Sequence, residues 1–178
     1  FTAQNNYWGD TVVNSGTLMI GDGGTSGGIS QNAASITVEP GATLAVNRSD
    51  TVTQGTNARK VAVSGDGGFT QAGTGNTVLM LANTYIGPTT LEAGTLTLGA
   101  AGVLPDASLV SIGSSTLATG TFAETAGKLD PTAAATVQLA AGTTLAFADS
   151  SAVDWTGGTL NLTGTFVSGS SLRFGTSA

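Results

Sequence analysis

The chain has 178 residues, of which 27 are Gly, 4 are Pro, none is Cys or His and only 9% are charged. The composition argues against a helix-rich fold because Gly and Thr are poor helix formers, and against disorder because 40% of the residues are hydrophobic. Without imidazole or thiol groups, Ser-His-Asp catalysis, Cys-His catalysis and soft metal sites are excluded.

The net charge of −6 leaves few cations to meet phosphates. Nucleic acid binding depends on neutralising several phosphates, and a polybasic patch would be needed to hold anionic lipid. No apolar run approaches the 18 to 20 or so residues of a membrane-spanning helix. We therefore expect no nucleic acid partner and no membrane insertion by this segment. The five cations are Arg48, Arg59, Lys60, Lys128 and Arg173.

Short runs built on Gly-Thr-Leu recur along the chain and predict strands, because each continues with an apolar residue two positions after the Leu. Glycine before each run can form a corner. In chain order the runs are 16–20, 41–46, 94–98, 142–147, 158–162 and 169–174.

The spacing of these runs predicts a solenoid. With Leu or Phe as the register mark, the marks fall at Leu18, Leu44, Phe69, Leu96, Leu117, Leu145 and Leu172. The near-constant interval favours stacked coils over a β-sandwich, whose strands need not recur at a fixed distance. Four units carry a second apolar pair upstream, at 36/38, 61/63, 110/112 and 137/139. We predict an all-β chain, a right-handed parallel β-helix of about seven coils of roughly 26 residues, forming a single β-solenoid domain over residues 1–178.

An internal repeat connects this pattern to a known family. Residues 7–21 align with residues 85–99 with seven identities in fifteen positions. The run from Gly68 to Tyr85, continued through 87–91 and 93–96, closely resembles the autotransporter-associated β-strand repeat, also called the passenger-associated transport repeat. The resemblance implies a β-helix in a large exported bacterial protein, at the cell surface or outside the cell. It implies no catalytic residues, and we expect the chain to be a segment of a longer protein.

Two sets of acidic residues are candidate sites. Asp22 and Asp66 lie in Gly-Asp-Gly-Gly turns that faintly resemble calcium-binding solenoid turns, but each turn has a single carboxylate. Asp149 and Asp154 are the closest pair that could act in glycoside cleavage. Ordinary turn chemistry and surface solubility explain both sets better, so we predict no metal, no cofactor and no enzymatic site.

Aromatic residues are the candidates for ligand binding. Tyr7, Trp8, Tyr85 and Trp155 could form a sugar-stacking platform, although Tyr7 and Tyr85 occupy equivalent repeat positions, which favours a structural role at a corner. One Thr-x-Thr pair, at 95 and 97, has the spacing of flat ice-binding β-helix faces, but a single copy is not an array.

The sequence thus predicts a non-catalytic structural rod, a stalk, passenger or adhesin scaffold, with a carbohydrate-binding module of a secreted enzyme as the alternative. The termini suggest a further property. Residues 1–6 carry no charged side chain and residues 168–174 read as another core strand rather than a polar cap. Unpaired strands at the ends of a solenoid recruit other strands. Two alternatives follow: flanking segments of the longer protein cap these ends, or the chain associates head to tail, which would propagate into fibres.

Overall fold

The computed structural model describes residues 1–30, 32–55, 61–165, 167 and 171–175, and it contains strands and no helix over those residues. All strand pairs between named strands are parallel. The predicted all-β parallel solenoid is thereby confirmed. The strands are β1 Gly9–Val13, β2 Thr17–Ile20, β3 Ala33–Val38, β4 Thr43–Val46, β5 Thr51–Thr53, β6 Val63–Ser64, β7 Gly68–Gln71, β8 Asn76–Leu79, β9 Thr89–Leu91, β10 Thr95–Leu98, β11 Val110–Ile112, β12 Thr116–Ala118, β13 Glu124–Ala126, β14 Leu129–Pro131, β15 Ala134–Leu139, β16 Leu145–Phe147, β17 Thr159–Gly164 and β18 Leu172–Phe174.

The strands form three faces that the chain visits in a fixed order. Face I is the six-stranded sheet β2-β4-β7-β9-β11-β14, and face II is the six-stranded sheet β5-β8-β10-β12-β15-β17. Face III consists of two three-stranded sheets, β1-β3-β6 and β13-β16-β18. Each complete coil passes from face III to face I and then to face II.

The middle of face III has no named strand, yet hydrogen bonds bridge it. The backbone N–H of Thr84 donates to the carbonyl of Val63 at 2.9 Å. The N–H of Val103 donates to the side-chain Oε2 of Glu124 at 3.0 Å. Single backbone hydrogen bonds and polar side chains therefore take the place of continuous strand pairing between β6 and β13.

The coils vary in length, which corrects the predicted count of seven coils. On face I, Leu18 pairs with Leu44 and Leu44 with Phe69, in steps of 26 and 25 residues. Phe69 then pairs with Thr89, a step of only 20, and Thr89 with Val110, a step of 21. Faces I and II each contain six strands, so the solenoid has about six coils, and those in its middle are shorter than 26 residues.

The register marks taken from the sequence do not form one column. Leu18, Leu44 and Phe69 stack on face I, but Leu96 and Leu117 pair on face II. The last two marks, at 145 and 172, pair on face III. The Gly-Thr-Leu run therefore occurs where the chain enters a strand from a corner, on any of the three faces. Its apparent period combines distances between strands of the same face with distances between strands of different faces.

Stacked apolar side chains fill the bore. On face II, Leu96 lies between Thr77 and Leu117, and the side chains of all three are at most 1% exposed. One cluster of buried residues extends from Val13 to Phe147. Burial of these side chains removes apolar surface from water and provides the main stabilisation of the stack.

Gly94 shows why glycine stands at a corner. Its φ is +63°, a left-handed conformation that other residues adopt at a cost. A Cβ atom at this position would also collide with the carbonyl oxygens of Gly73 and Gly75 on the neighbouring coil. Glycine thus allows the corners to stack as closely as the strands.

Candidate functional site

The C-terminal end of the bore exposes apolar side chains. Leu162 pairs with Val137 in the core register, but Leu162 is 40% exposed whereas Val137 is fully buried. Phe174 pairs with Phe147 in the same way and is 44% exposed. We call the surface formed by Leu160, Leu162, Leu172 and Phe174 the C-terminal bore end. It is the side of the last strands that a further coil would cover.

The opposite end of the stack is covered differently. The amino group of Phe1 donates to the carbonyl of Met19 at 2.6 Å, and the N–H of Gly21 donates to the carbonyl of Phe1 at 2.8 Å. The core residue Ile20 is only 1% exposed there. The two ends of the solenoid are therefore chemically distinct.

Trp155 closes face I at the C-terminal side. Its Nε1 donates to the carbonyl of Leu129 at 3.0 Å, in the last strand of face I. Its ring meets Phe174 edge-on at 5.9 Å between centroids, and Phe174 stacks on Phe147 at 5.7 Å. A cavity of about 420 Å³ lies beside these rings and is also lined by Asp149.

The structure disperses the four aromatic residues proposed as a sugar platform. Tyr85 is 1% exposed, and its hydroxyl hydrogen-bonds to Thr89 Oγ1 at 2.6 Å. The hydroxyl of Tyr7 hydrogen-bonds to Thr11 in the same way. The structural role expected for the two tyrosines is thus confirmed, and both use the same Tyr-x-x-x-Thr contact.

The two tryptophans lie at opposite ends of the stack. Trp8 is 81% exposed and precedes β1, the outermost strand of face III at the N-terminal end. Trp155 packs at the other end, against the last strand of face I. Together with the burial of Tyr85, this placement leaves no shared aromatic surface.

The candidate acidic residues hold their own turns. Asp22 Oδ1 accepts from the N–H of Gly24 at 3.2 Å. Asp149 accepts from the N–H of Ser151, and this bond lowers the pKa of Asp149. Asp154 accepts from the hydroxyl and N–H of Thr156, which lower its pKa.

These acids do not gather into a metal site. Over the described ranges, three or more Asp or Glu residues nowhere approach one another closely enough to hold a metal ion. Asp66 stays in its turn after β6 without a second carboxylate beside it in the sequence. The carboxylates therefore have a structural role in their turns.

The three cations among the described residues, Arg48, Lys128 and Arg173, lie on different parts of the stack. Arg48 forms an ion pair with Asp50 at 2.6 Å and donates to the carbonyls of Thr25 and Gly27. Arg173 lies in β18 on face III. The adjacent pair Arg59 and Lys60 lies outside the described residues.

Sequence reasoning missed a buried polar column on face III. Glu124 is 4% exposed, and its Oε1 has no hydrogen-bond partner among the described residues. Burial raises the pKa of Glu124 from 4.5 to about 7, and the nearby charge of Asp106 adds to the increase. The only sequence signal was alternation, because Glu124 and Ala126 share the inward side of β13.

Comparison with protein-family models matches the Passenger-associated-transport-repeat to residues 1–20 and 69–98. A search of curated proteins and a search of solved structures each found no match. Among the described residues, no helix is long and apolar enough to cross a membrane. The first matched segment contains the Tyr7–Thr11 contact and the second contains the Tyr85–Thr89 contact. The chain therefore carries the passenger-associated transport repeat in these two segments, as the resemblance of residues 68–96 predicted.

Proposed function

We propose that this chain is a non-catalytic β-helical rod in the passenger of an exported bacterial protein, exposed outside the cell or on its surface. The observation that carries the proposal is the coincidence of passenger repeats with a continuous parallel stack of about six coils. A rod of this kind spaces or displays other parts of a protein, because each coil adds a fixed rise and its core is shared with both neighbours.

The chemistry of the side chains supports a structural role over a catalytic one. The sequence offers no His or Cys. Asp149 and Asp154 each accept hydrogen bonds from the turn that follows them, and these bonds lower their pKa values. General acid–base catalysis favours groups whose pKa lies near the working pH.

Surface display tests the scaffold role. The chain is inserted between a signal peptide and an autotransporter translocation domain, with an epitope tag at its amino end. We expect the tag on the cell surface and a chain that resists added protease. Retention of the tag in the periplasm, with a folded purified chain, would contradict the proposal.

End-on association is the second part of this proposal. The C-terminal bore end exposes Leu162 and Phe174, which occupy core register positions. Contact of one end with the other end of a second copy is heterologous and need not close, so it extends into fibres. Light scattering over a hundredfold concentration range should show a growing mass.

A matched pair of variants locates that contact. Leu162→Lys places a charge on the bore end, while Thr163→Lys places it on the outward side of the same strand. Leu172→Lys repeats the first test in β18. We expect association to disappear with Leu162→Lys and Leu172→Lys and to persist with Thr163→Lys. A monomeric mass of the unmodified chain at all concentrations would reject end-on association.

A carbohydrate-binding module is the second candidate, supported by the cavity beside Trp155 and Phe174. Aromatic faces next to a carboxylate suit a sugar ring. Retention on a polysaccharide column that is lost in Trp155→Ala would favour it. Retention unchanged in both Trp155→Ala and Trp8→Ala would remove it.

A further inference from the structure

The outward side chains of face II form a two-dimensional array. The pairing runs through all six strands without a register shift, so residues on either side of each inward position line up in columns. The first outward column consists of Thr51, Asn76, Thr95, Thr116, Thr136 and Asn161. The second consists of Thr53, Val78, Thr97, Ala118, Gln138 and Thr163. Ala118 is the one position of the second column that is buried. We call these twelve positions the threonine–amide face.

The geometry of this face is regular in both directions. Neighbouring parallel strands lie about 4.8 Å apart, and positions two residues apart along a strand are separated by about 6.6 Å. The columns therefore present side chains on a nearly rectangular grid. The pair Thr95 and Thr97 stands inside this grid, with Asn76 on one side and Thr116 on the other.

The chemistry of the face is uniform and distinctive. All twelve positions are uncharged and none is aromatic, although the chain contains 11 acidic and 5 basic residues. Most carry a hydroxyl or a primary amide, and Val78 and Ala118 contribute aliphatic groups. A hydrogen bond of 2.8 Å from Thr97 Oγ1 to Asn76 Oδ1 links the two columns.

The other faces lack this uniformity. The outward column of face I includes Met19 and ends at Asp130. On face III, Thr125, Ala146 and Arg173 form an outward column that ends in a cation. Among the described sheets, two uncharged outward columns that extend across six strands occur only on face II.

We propose that the threonine–amide face binds the surface of ice. Ice presents a lattice of water oxygens at fixed repeats, so a grid of donors and acceptors at fixed spacing can join it at many points at once. A charged side chain would hold a hydration shell that the lattice cannot accommodate, and this face has none in its twelve positions. Threonine methyl groups, with the half-buried Val78, fill the spaces between lattice waters.

The same features argue against a polysaccharide as the occupant. Sugar rings are usually held on aromatic side chains, and the threonine–amide face offers none at its twelve positions. Ice binding goes beyond the scaffold role and does not depend on it, although exposure outside the cell would bring the face to ice.

Ice adsorption tests the proposal directly. The purified chain is equilibrated with a slowly growing ice hemisphere, and the protein in ice and liquid is measured together with thermal hysteresis. We expect enrichment in ice and a measurable hysteresis gap. A protein that is excluded from ice like an ordinary solute would overturn the proposal, and so would retention on crystalline cellulose or chitin without any ice adsorption.

A matched pair of variants assigns the face. Thr116→Tyr places a bulky ring in the middle of the grid, whereas Ser111→Tyr places it on the outward side of face I in the same coil. We expect Thr116→Tyr to lower ice adsorption about tenfold, since central positions dominate an interface, and Ser111→Tyr to leave it unchanged. Equal loss in both variants would overturn the assignment to face II.

A second substitution tests the same face in case the Thr116→Tyr variant fails to fold. Thr136→Lys adds a charge to the neighbouring strand at a half-buried outward position. Circular dichroism and the melting temperature of each variant establish that it is folded. A folded Thr136→Lys variant with undiminished ice adsorption would also contradict the proposal.

Discussion

The side chain of Asn83 accepts a hydrogen bond that a neighbouring β-strand would otherwise accept. The backbone N–H of Val63 donates to Asn83 Oδ1 at 2.8 Å. Asn83 Nδ2 donates in turn to the carbonyl of Val103 on the next coil at 2.9 Å. Gln54 Nε2 also donates to Asn83 Oδ1, at 2.6 Å. One buried amide thus joins three coils where face III has no strand pairing.

Replacement of this amide should be costly. Asn83→Leu leaves the N–H of Val63 and the amide of Gln54 buried without their acceptor, and an unsatisfied buried polar group costs about 1 to 3 kcal/mol. We expect a loss of about 3 kcal/mol in the free energy of unfolding, measured by urea denaturation. The control, Asn14→Leu, changes an exposed residue. Comparable losses in both variants would disprove the bridging role.

Glu124 should make stability depend on pH. Its pKa is about 7 in the folded protein and 4.5 ordinarily, so the folded state binds the proton more tightly. The contribution of Glu124 to the free energy of unfolding is therefore largest below pH 4.5. It declines as the pH rises from 4.5 to about 7. The difference of about 2.5 pKa units sets an upper limit of about 3.5 kcal/mol, since each unit is worth about 1.4, and screening by solvent lowers the observed effect.

Glu124→Gln should remove that dependence. The neutral amide keeps an acceptor for the N–H of Val103 without a buried charge. We expect its melting temperature to exceed that of the unmodified chain at pH 8 and the difference to shrink at pH 4. Asp106 and Arg173 line the same cavity as Glu124, so the control is Glu92→Gln, which removes a carboxylate at an exposed position outside that cavity. A difference that is independent of pH would refute this account.

Substitution by Asp at two adjacent positions of β10 should destabilise the protein to very different extents. Leu96 is fully buried between coils, and Leu96→Asp places an unpaired charge there at a cost of about 4 kcal/mol or more. Thr97 faces outward and is partly exposed, so Thr97→Asp should cost no more than about 1 kcal/mol. Thermal melts followed by circular dichroism compare them. Equal melting temperatures would show that the inward and outward assignment is wrong.

We expect Arg48 to stabilise the segment that follows β2, residues 22–28. Its side chain is 12% exposed, and the guanidinium binds Asp50 as well as the carbonyls of Thr25 and Gly27. This ion pair lowers the pKa of Asp50, mainly through the hydrogen bond from Arg48. Lysine cannot reproduce such planar multiple donation.

Arg48→Lys should therefore loosen residues 22–28. We expect faster limited proteolysis in that segment and a loss of about 1 kcal/mol in stability. Arg173→Lys, at an exposed position of β18, is the matched control and should change neither quantity. Unchanged proteolysis in Arg48→Lys would contradict this stabilising role.

The local pattern around each strand was predictable from sequence. Alternation in runs such as 94–98 placed Leu96 and Leu98 inward and Thr97 outward, as the structure has them. Local alternation is sufficient for this because successive side chains of a strand point to opposite sides. The repeat at Tyr7 and Tyr85 was also visible, since both copies make the same local contact four residues on.

The face on which each strand lies was not predictable. Tyr7–Ile20 and Tyr85–Leu98 are similar in sequence, yet Thr11 belongs to face III and Thr89 to face I. Coil length decides the face, and coil length depends on how corners and loops pack. A constant period of 26 therefore misplaced the marks after Phe69.

The sequence by itself determined the all-β class, the inward and outward residues of most strands and the passenger repeat, because these depend on alternation and on turn residues within short windows. Only the tertiary structure decided which residues stack. Coil steps of 19 to 27 residues bring Thr95 under Thr116 and Asn83 beside Val63. Contacts between coils are non-local, so both the threonine–amide face and the buried column of Asn83 and Glu124 arise only when the chain is wound.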